Sequence, residues 1–284
     1  MNNKFCEEDK EAKMRAIYVA DLHSDRKHYD ELYTLLQENR IELLLIGGDL
    51  LAYSKSLAKQ LDFIEHEWID FVRSISIPIL LIHGNIEWTG AVSRYEQLSR
   101  ANVHTLLTLE PVEMDRLAIS GYGISNPSPF SRKDFERRDL KCDEFISNKS
   151  IYISTVNGQL VERDAHYLNR LPSMEDELEA LSSQGIWMMH APPFETKLDV
   201  IQNGIHVGSK AIRKRIEQVQ PALTLHGHIH ESPYVSNSWF DRIGRTVCIN
   251  PGQGADLHAV ILDLRQNGEL ESAEHTIFGK AGLY

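Results

Sequence analysis

The sequence predicts an α/β protein. Three observations carry this reading: short, almost wholly apolar runs of strand length, longer segments with apolar residues at helical spacing, and their alternation from residue 15 to residue 82 in a βαβαβ rhythm. Residues 2–13 are polar and charged and are expected to form a loose tail. Residues 15–21 (RAIYVAD) read as a strand. Residues 25–39 read as a helix, with Tyr29, Leu32, Tyr33 and Leu36 at i, i+3, i+4 and i+7 and either Ser24 or Asp25 as its cap. Residues 41–46 (IELLLI) are apolar enough for a strand covered on both faces. Residues 57–72 set Leu57, Leu61, Ile64 and Trp68 on one helical stripe, and residues 77–82 (IPILLI) form another short apolar strand.

The middle of the chain is less regular. Residues 104–109 and 117–122 read as strands, and residues 125–148, polar and containing Pro127 and Pro129, suit an insertion at the mouth of a pocket. Asn157-Gly158 lies between two β-prone runs and predicts a hairpin over 151–164. An S-x-x-D start at Ser173 and Asp176 opens a helix expected over 173–183. Residues 186–189 and 222–225 are short strands flanking a helix over 209–219 that Ser209 caps, and residues 247–250, 258–264 and 269–276 complete the strand set. Without a convincing linker, residues 14–284 are expected to form one domain.

Composition narrows the function. Thirty Lys and Arg against 41 Asp and Glu leave a formal charge of −11, which disfavours broad nucleic-acid binding or attachment to an anionic membrane. Cys6, Cys142 and Cys248 form no CxxC pair, so a disulfide framework or a zinc–thiolate site is not expected. No apolar run approaches the roughly 20 residues of a membrane span, and the first 13 residues lack the apolar core of a secretory signal. A soluble, cytoplasmic chain is expected. Oligomeric state is left open.

The chemistry lies where strands end. The strand over 15–21 leads into Asp21-Leu22-His23, the next into Gly47-Gly48-Asp49, and the third into His83-Gly84-Asn85-Ile86-Glu87; later strands end at His190 and at His226-Gly227-His228-Ile229-His230. In open α/β sheets ligands gather beyond the carboxyl ends of strands, so five segments point metal-capable side chains at one rim. Each short motif alone is weak, since turns use Gly-Asp and Gly-Asn constantly; their order, each after an apolar strand, is the specific signal.

This ordered set resembles the calcineurin-like metallophosphoesterase superfamily, over Asp21 to about Gly252. The resemblance implies a four-layer α-β-β-α sandwich with two central mixed sheets. It implies two divalent transition-metal ions (Mn, Fe, Zn, Ni or Co): Asp21, His23, Asp49 and His230 around one, and Asp49, Asn85, His190 and His228 around the other, with Asp49 bridging. Four protein bonds per ion leave room for water and a phosphate oxygen, as a catalytic site requires. The implied function is hydrolysis of a small phosphate mono- or diester, a diester favoured, by a metal-activated hydroxide, with Asp49, Asn85 and His190 as catalytic residues. The family's usual Gly-Asn-His reads Gly-Asn-Ile here, so Ile86 stands where an imidazole assists the leaving group. A catalytically weak interaction scaffold on the same fold, or a mononuclear zinc hydrolase on another, are the alternatives.

Residues around the centre carry two readings each. His226 and His83 are either packed core residues or supports behind the ligands, and His258 reads as structural. The entry His206-Val207-Gly208-Ser209 leads into a helix bearing Lys210 and Arg213. It is either a solvated basic face or a site where His206, Ser209, Lys210 or Arg213 meets a substrate anion. Asn126 is either a turn former or a substrate contact. Glu87 is a rival proton donor if burial raises its pKa.

Overall fold

A computed structural model describes residues 13–147, 149–182 and 184–282; the expected tail, apart from Lys13, lies outside them. The first half runs β1 (Met14–Val19), α1 (Arg26–Glu38), β2 (Leu43–Gly47), α2 (Leu57–Phe63), α3 (Ile69–Arg73), β3 (Ile79–Ile82), α4 (Thr89–Arg100) and β4 (Thr105–Leu106). Asp25 rather than Ser24 caps α1, its side chain accepting the Lys27 N–H. A π-helical turn, Ile64–Trp68, joins α2 to α3 and keeps Ile64 and Trp68 buried. The second half continues β5 (Val112–Met114), β6 (Leu117–Tyr122), β7 (Ile151–Val156), β8 (Gln159–Asp164), α5 (Met174–Leu178), β9 (Ile186–Met189), α6 (Lys210–Val219), β10 (Leu223–Leu225) and α7 (Ser232–Ser236). It closes with β11 (Phe240–Ile243), β12 (Thr246–Ile249), β13 (Ala259–Leu264), β14 (Leu270–His275) and β15 (Gly279–Lys280).

Two mixed sheets form the centre, in the orders β15-β14-β13-β1-β2-β3-β4 and β11-β12-β10-β9-β6-β5. Strands β1 to β4 run parallel, as do β6, β9, β10 and β12. One apolar layer fills the space between the sheets, with Tyr18, Leu43, Leu45 and Leu80 from the first facing Ile119, Met188, Leu223 and Ile249 from the second. On the outer face of the first sheet, Leu32 and Leu36 of α1, Trp68 and α4's Tyr95 pack over Ile17, Leu44 and Leu81. On the outer face of the second, α5 and α6 bring Leu178, Ile212 and Ile216 onto Trp187 and Met189. The layers are therefore α-β-β-α, and strands covered on both sides explain the unbroken apolar runs.

Several elements depart from the sequence reading: β5, α7, β11 and β15 have no counterpart in it, and three others differ as follows. Helix α4 has no counterpart there: Gly90, Ser93 and Ser99 dilute a stripe that Ala91, Val92, Tyr95 and Leu98 nonetheless bury. The helix expected over 173–183 is confined to α5; its capping box between Ser173 and Asp176 is present. The strand expected over 104–109 shrinks to β4. The β7–β8 hairpin turns at Asn157-Gly158 with φ of 51° and 76°, as the tight turn requires. Residues 125–147 carry no helix or extended strand yet are anchored from within by the sealed Lys133–Glu136 ion pair. No helix among the described residues is long and apolar enough to cross a membrane.

Leu45 sits fully buried in the inter-sheet layer. Leu45→Ala should lower unfolding stability by about 2–5 kcal/mol, read from urea denaturation, whereas Ile146→Ser at an 85% exposed position should change it by under about 0.5 kcal/mol. A loss below about 1 kcal/mol for Leu45→Ala would mean that the layer does not hold the sheets together.

Candidate metal centre

Parallel strands place their carboxyl ends on one edge. From the first sheet β1, β2 and β3 deliver Asp21 and His23, Asp49, and Asn85; from the second β9 and β10 deliver His190, and His228 and His230. The loops interlock as they leave the sheets. Asp21 and His23 donate backbone N–H groups to Gly48 O and Asp49 O, both at 3.0 Å, and Gly227 N–H donates to His190 O at 2.9 Å. Across the sheets, His228 N–H donates to Asp21 Oδ2 at 2.9 Å. Asp21, His23, Asp49 and His228 all hold positive φ, between 48° and 68°, a conformation that non-glycine residues adopt rarely and chiefly where the surroundings enforce it. Gly84 must lack a side chain, because a Cβ there would run into the Asp49 carboxylate.

Two donor clusters result, Asp21 with His23 and His230, and Asp49 with His190 and His228, the donor atoms of each lying within 4.8 Å of one another. Their chemistry asks for cations. His190 Nδ1 lies 2.9 Å from Gly47 O and donates its proton there, which turns Nε2 towards the site. Nε2 faces Asn85 Oδ1 at 3.2 Å and Asp49 Oδ2 at 3.3 Å. The three atoms converge on a point that calls for a cation, either a proton on Nε2 or a metal ion in its place. In the other cluster His23 Nε2 and His230 Nε2 stand 3.0 Å apart. Asp21 Oδ1, 3.5 Å from His230 Nε2, is buried without a hydrogen-bond donor. Each donor set fits a metal of the kind imidazole and carboxylate oxygen share.

The electrostatics point the same way. Burial alone would raise the pKa of Asp49, but the imidazoles of His190, His23 and His228 outweigh it and hold the carboxyl well below its usual range. Burial likewise opposes ionisation of Asp21, and His230 overcomes it. Burial would lower His190, yet the Asp49 charge pushes it up to about 10. Both carboxylates are thus ionised and attract positive charge.

Around the ligands, Ile86 contributes its backbone: its N–H donates to Asp49 Oδ1 at 3.1 Å, while its carbonyl accepts from Gln60 Nε2 at 3.0 Å and from Arg132. Glu87 has the raised pKa that a proton donor needs, pushed up to about 8 by burial and by Asp49. It is fully buried, however, and its two oxygens accept the N–H groups of Leu51 and Gly84 at 3.2 and 2.9 Å. Its observed role is to tie the loops that carry Asp49 and Asn85. His226 hydrogen-bonds the carbonyls of Met189 and Ala191 and the Thr224 hydroxyl inside the core. His83 bonds Gly84 O and packs its ring 4.1 Å from that of Phe135, centroid to centroid. His258 bridges Tyr234 and Pro251 O.

The helix entry is already filled from within the chain. Asp139 accepts the Ser209 hydroxyl at 2.5 Å and the N–H groups of Lys210 and Ala211 at 2.6 and 3.1 Å, where the sequence reading allowed a substrate anion. Arg213 pairs with Glu217 and donates to the carbonyls of Phe194 and Glu195; the Lys210 ammonium lies 5.1 Å from the centre of the Phe194 ring. His206 meets Asp199 at 2.7 Å. Asn126 donates to Val207 O at 3.0 Å, with its own Oδ1 buried and unpartnered. Sequence reasoning missed Asp139, Glu87's bracing role and Arg132. Only the polar character of residues 125–148 hinted that this segment reaches the site.

Known proteins resemble this chain in sequence or in fold. Over 66 residues the chain is 44% identical to the uncharacterized protein MJ1162 of Methanocaldococcus jannaschii, a stretch covering 22% of this chain and 28% of that one. The crystal structure of TT1561 from Thermus thermophilus, 13% identical, superposes with a TM-score of 0.58 over 94% of this chain and 100% of that chain, a likeness of fold. The model of the calcineurin-like phosphoesterase family matches residues 14–232, a span that takes in all five strand ends and every residue of the two clusters. This chain belongs to the calcineurin-like phosphoesterase family.

Proposed function

We propose that the protein is a dinuclear metal-dependent phosphoesterase that favours phosphodiesters. The carrying observation is the convergence of His190 Nε2, Asn85 Oδ1 and Asp49 Oδ2 on one point that calls for a cation, beside a second cluster with an orphaned Asp21 oxygen. Asp21, His23, Asp49 and His230 would hold one ion, and Asp49, Asn85, His190 and His228 the other, drawn from Mn, Fe, Zn, Ni and Co. When bound, two such ions neutralise phosphoryl oxygens and supply a water acidic enough to attack phosphorus near neutral pH.

The chain's own residues set the rest. Gly47 O takes the His190 Nδ1 proton and so aims Nε2 inward, where a bound metal would displace its proton. The N–H groups of Ile86 and His228 each occupy one oxygen of Asp49 and Asp21 and leave the other for the site. Ile86 offers neither proton nor charge to a departing oxygen. A diester bears one negative charge where a monoester bears two, so it loses less from an apolar residue at this position. That supports the diester preference.

Two results would test this. Asp49→Ala should drop bound metal from about two ions per chain to fewer than one and reduce turnover of bis(p-nitrophenyl) phosphate to background; full activity in the variant would overturn the shared-ligand assignment. A parent that binds about two ions yet hydrolyses no ester would return the scaffold reading. The second test is a leaving-group series at fixed pH. The parent's rate should fall steeply as the leaving group becomes more basic, and Ile86→His should help poor leaving groups most, by up to about 10²-fold. Glu87→Gln should leave the slope unchanged while lowering stability by about 1–3 kcal/mol, because an amide cannot accept both N–H groups. A slope that steepens in Glu87→Gln would hand the proton-donor role to Glu87.

A further inference from the structure

Beside the metal centre opens a cavity of about 930 Å³, lined among others by Ser24, which follows the donor His23, and by Tyr53, Lys55 and Lys59. That volume is in the range of small-molecule sites. The Tyr53 ring that lines it meets a second aromatic ring, that of Phe130. Tyr53 and Phe130 are 49% and 51% exposed, and their centroids are 6.0 Å apart with a 39° tilt. At that spacing the rings touch each other, so a third ring joins them on their open faces, not between them. From beneath, the buried Arg132 guanidinium lies 4.9 Å from the Tyr53 centroid and 3.7 Å from that of Trp88. The same guanidinium donates to Ser54 O and Ile86 O, and Ile86 N–H holds Asp49. The aromatic surface is thus fixed to the metal centre through one buried side chain, and a rigid ring surface loses little entropy on binding.

The charges in the cavity favour an anionic ligand. Arg26 pairs with Glu67, and Asp62 faces His66 at 3.2 Å, while among the described residues Lys55 and Lys59 make no ion pair. We infer that this cavity is the recognition site for a nucleobase carried by the phosphoester, stacked on Tyr53 and Phe130. The inference deepens the phosphoesterase reading and rests on it for the position of the phosphate. A nucleobase joins a flat π-face to a phosphate-bearing sugar, matching exposed rings next to uncommitted lysines and a metal centre, and stacking on aromatic side chains accepts any base.

The test uses the full chain loaded with Mn²⁺ and reads binding by calorimetry rather than turnover. Adenosine 5′-monophosphate, ribose 5-phosphate and inorganic phosphate are compared, the first two differing only in the base. The nucleotide should bind at least about tenfold more tightly than ribose 5-phosphate. The double variant Tyr53→Leu with Phe130→Leu should erase that gap without weakening ribose 5-phosphate or inorganic phosphate, and Tyr53→Phe should preserve it. Equal binding of nucleotide and sugar phosphate by the parent, a gap that survives the double variant, or parallel weakening of all three ligands would each overturn the inference. The two readings fail separately: a gap without hydrolysis of any ester removes only the catalytic one, and aryl diester hydrolysis without a gap removes only this one.

Discussion

Two buried carboxylates govern this structure. Asp21 and Asp49 lie where the strand ends of both sheets meet, 0% and 3% exposed, and each raises the other's cost of ionisation. Uncompensated charge in such a place is strongly destabilising. The compensation divides each group in two: one oxygen takes a backbone N–H, and the other turns towards imidazoles. For Asp21 that N–H comes from the opposite sheet. The centre therefore tolerates no slippage of one sheet against the other, and the apolar layer between them is the element that prevents it.

The same constraint accounts for the strained backbone. Four of the seven candidate donors sit in the left-handed region, each at a cost of order 1–3 kcal/mol. Short turns at strand ends leave no length for a relaxed path to the rim, and the interlocking of the β1 and β2 loops fixes the strained geometry. Glu87 closes this arrangement from behind by binding the loops after β2 and β3 at once. A group whose raised pKa suits acid catalysis is thereby spent on holding the ligands' backbone, which shows why a shifted pKa without access to substrate assigns no role.

Much of this was legible in the sequence, for a physical reason. Strands buried on both faces must be apolar throughout, so β1, β2, β3 and β9 stand out, and the residues that break each run mark the rim. The candidate donors stood out in the sequence because each follows its strand within a few residues. Contacts between distant segments were not. Asp139 reaches the entry of α6, and Arg132 reaches Ser54 and Ile86, through a stretch without regular structure whose path is set by a buried ion pair. Nothing in local composition encodes such a path. Helix α4 was missed for the converse reason: tertiary burial of Tyr95 and Leu98 overrides the weak helical preference of its Gly and Ser residues.

Position 86 shows how binding and chemistry can be separated in one residue. The metal centre needs the Ile86 N–H to brace Asp49 and its carbonyl to receive Gln60 and Arg132. Any residue but proline supplies both. The side chain is under no such demand, so an imidazole can give way to a sec-butyl group without moving a ligand. If the centre hydrolyses phosphoesters as proposed, the lack of a proton donor at 86 would make the rate depend on the leaving group's own stability, and selectivity would shift to whatever holds that group in place. The carbonyl of the same residue anchors Arg132, and Arg132 underpins the exposed Tyr53 ring. The backbone of one residue thus joins the part of the centre that holds charge to the part that would meet the remainder of the substrate.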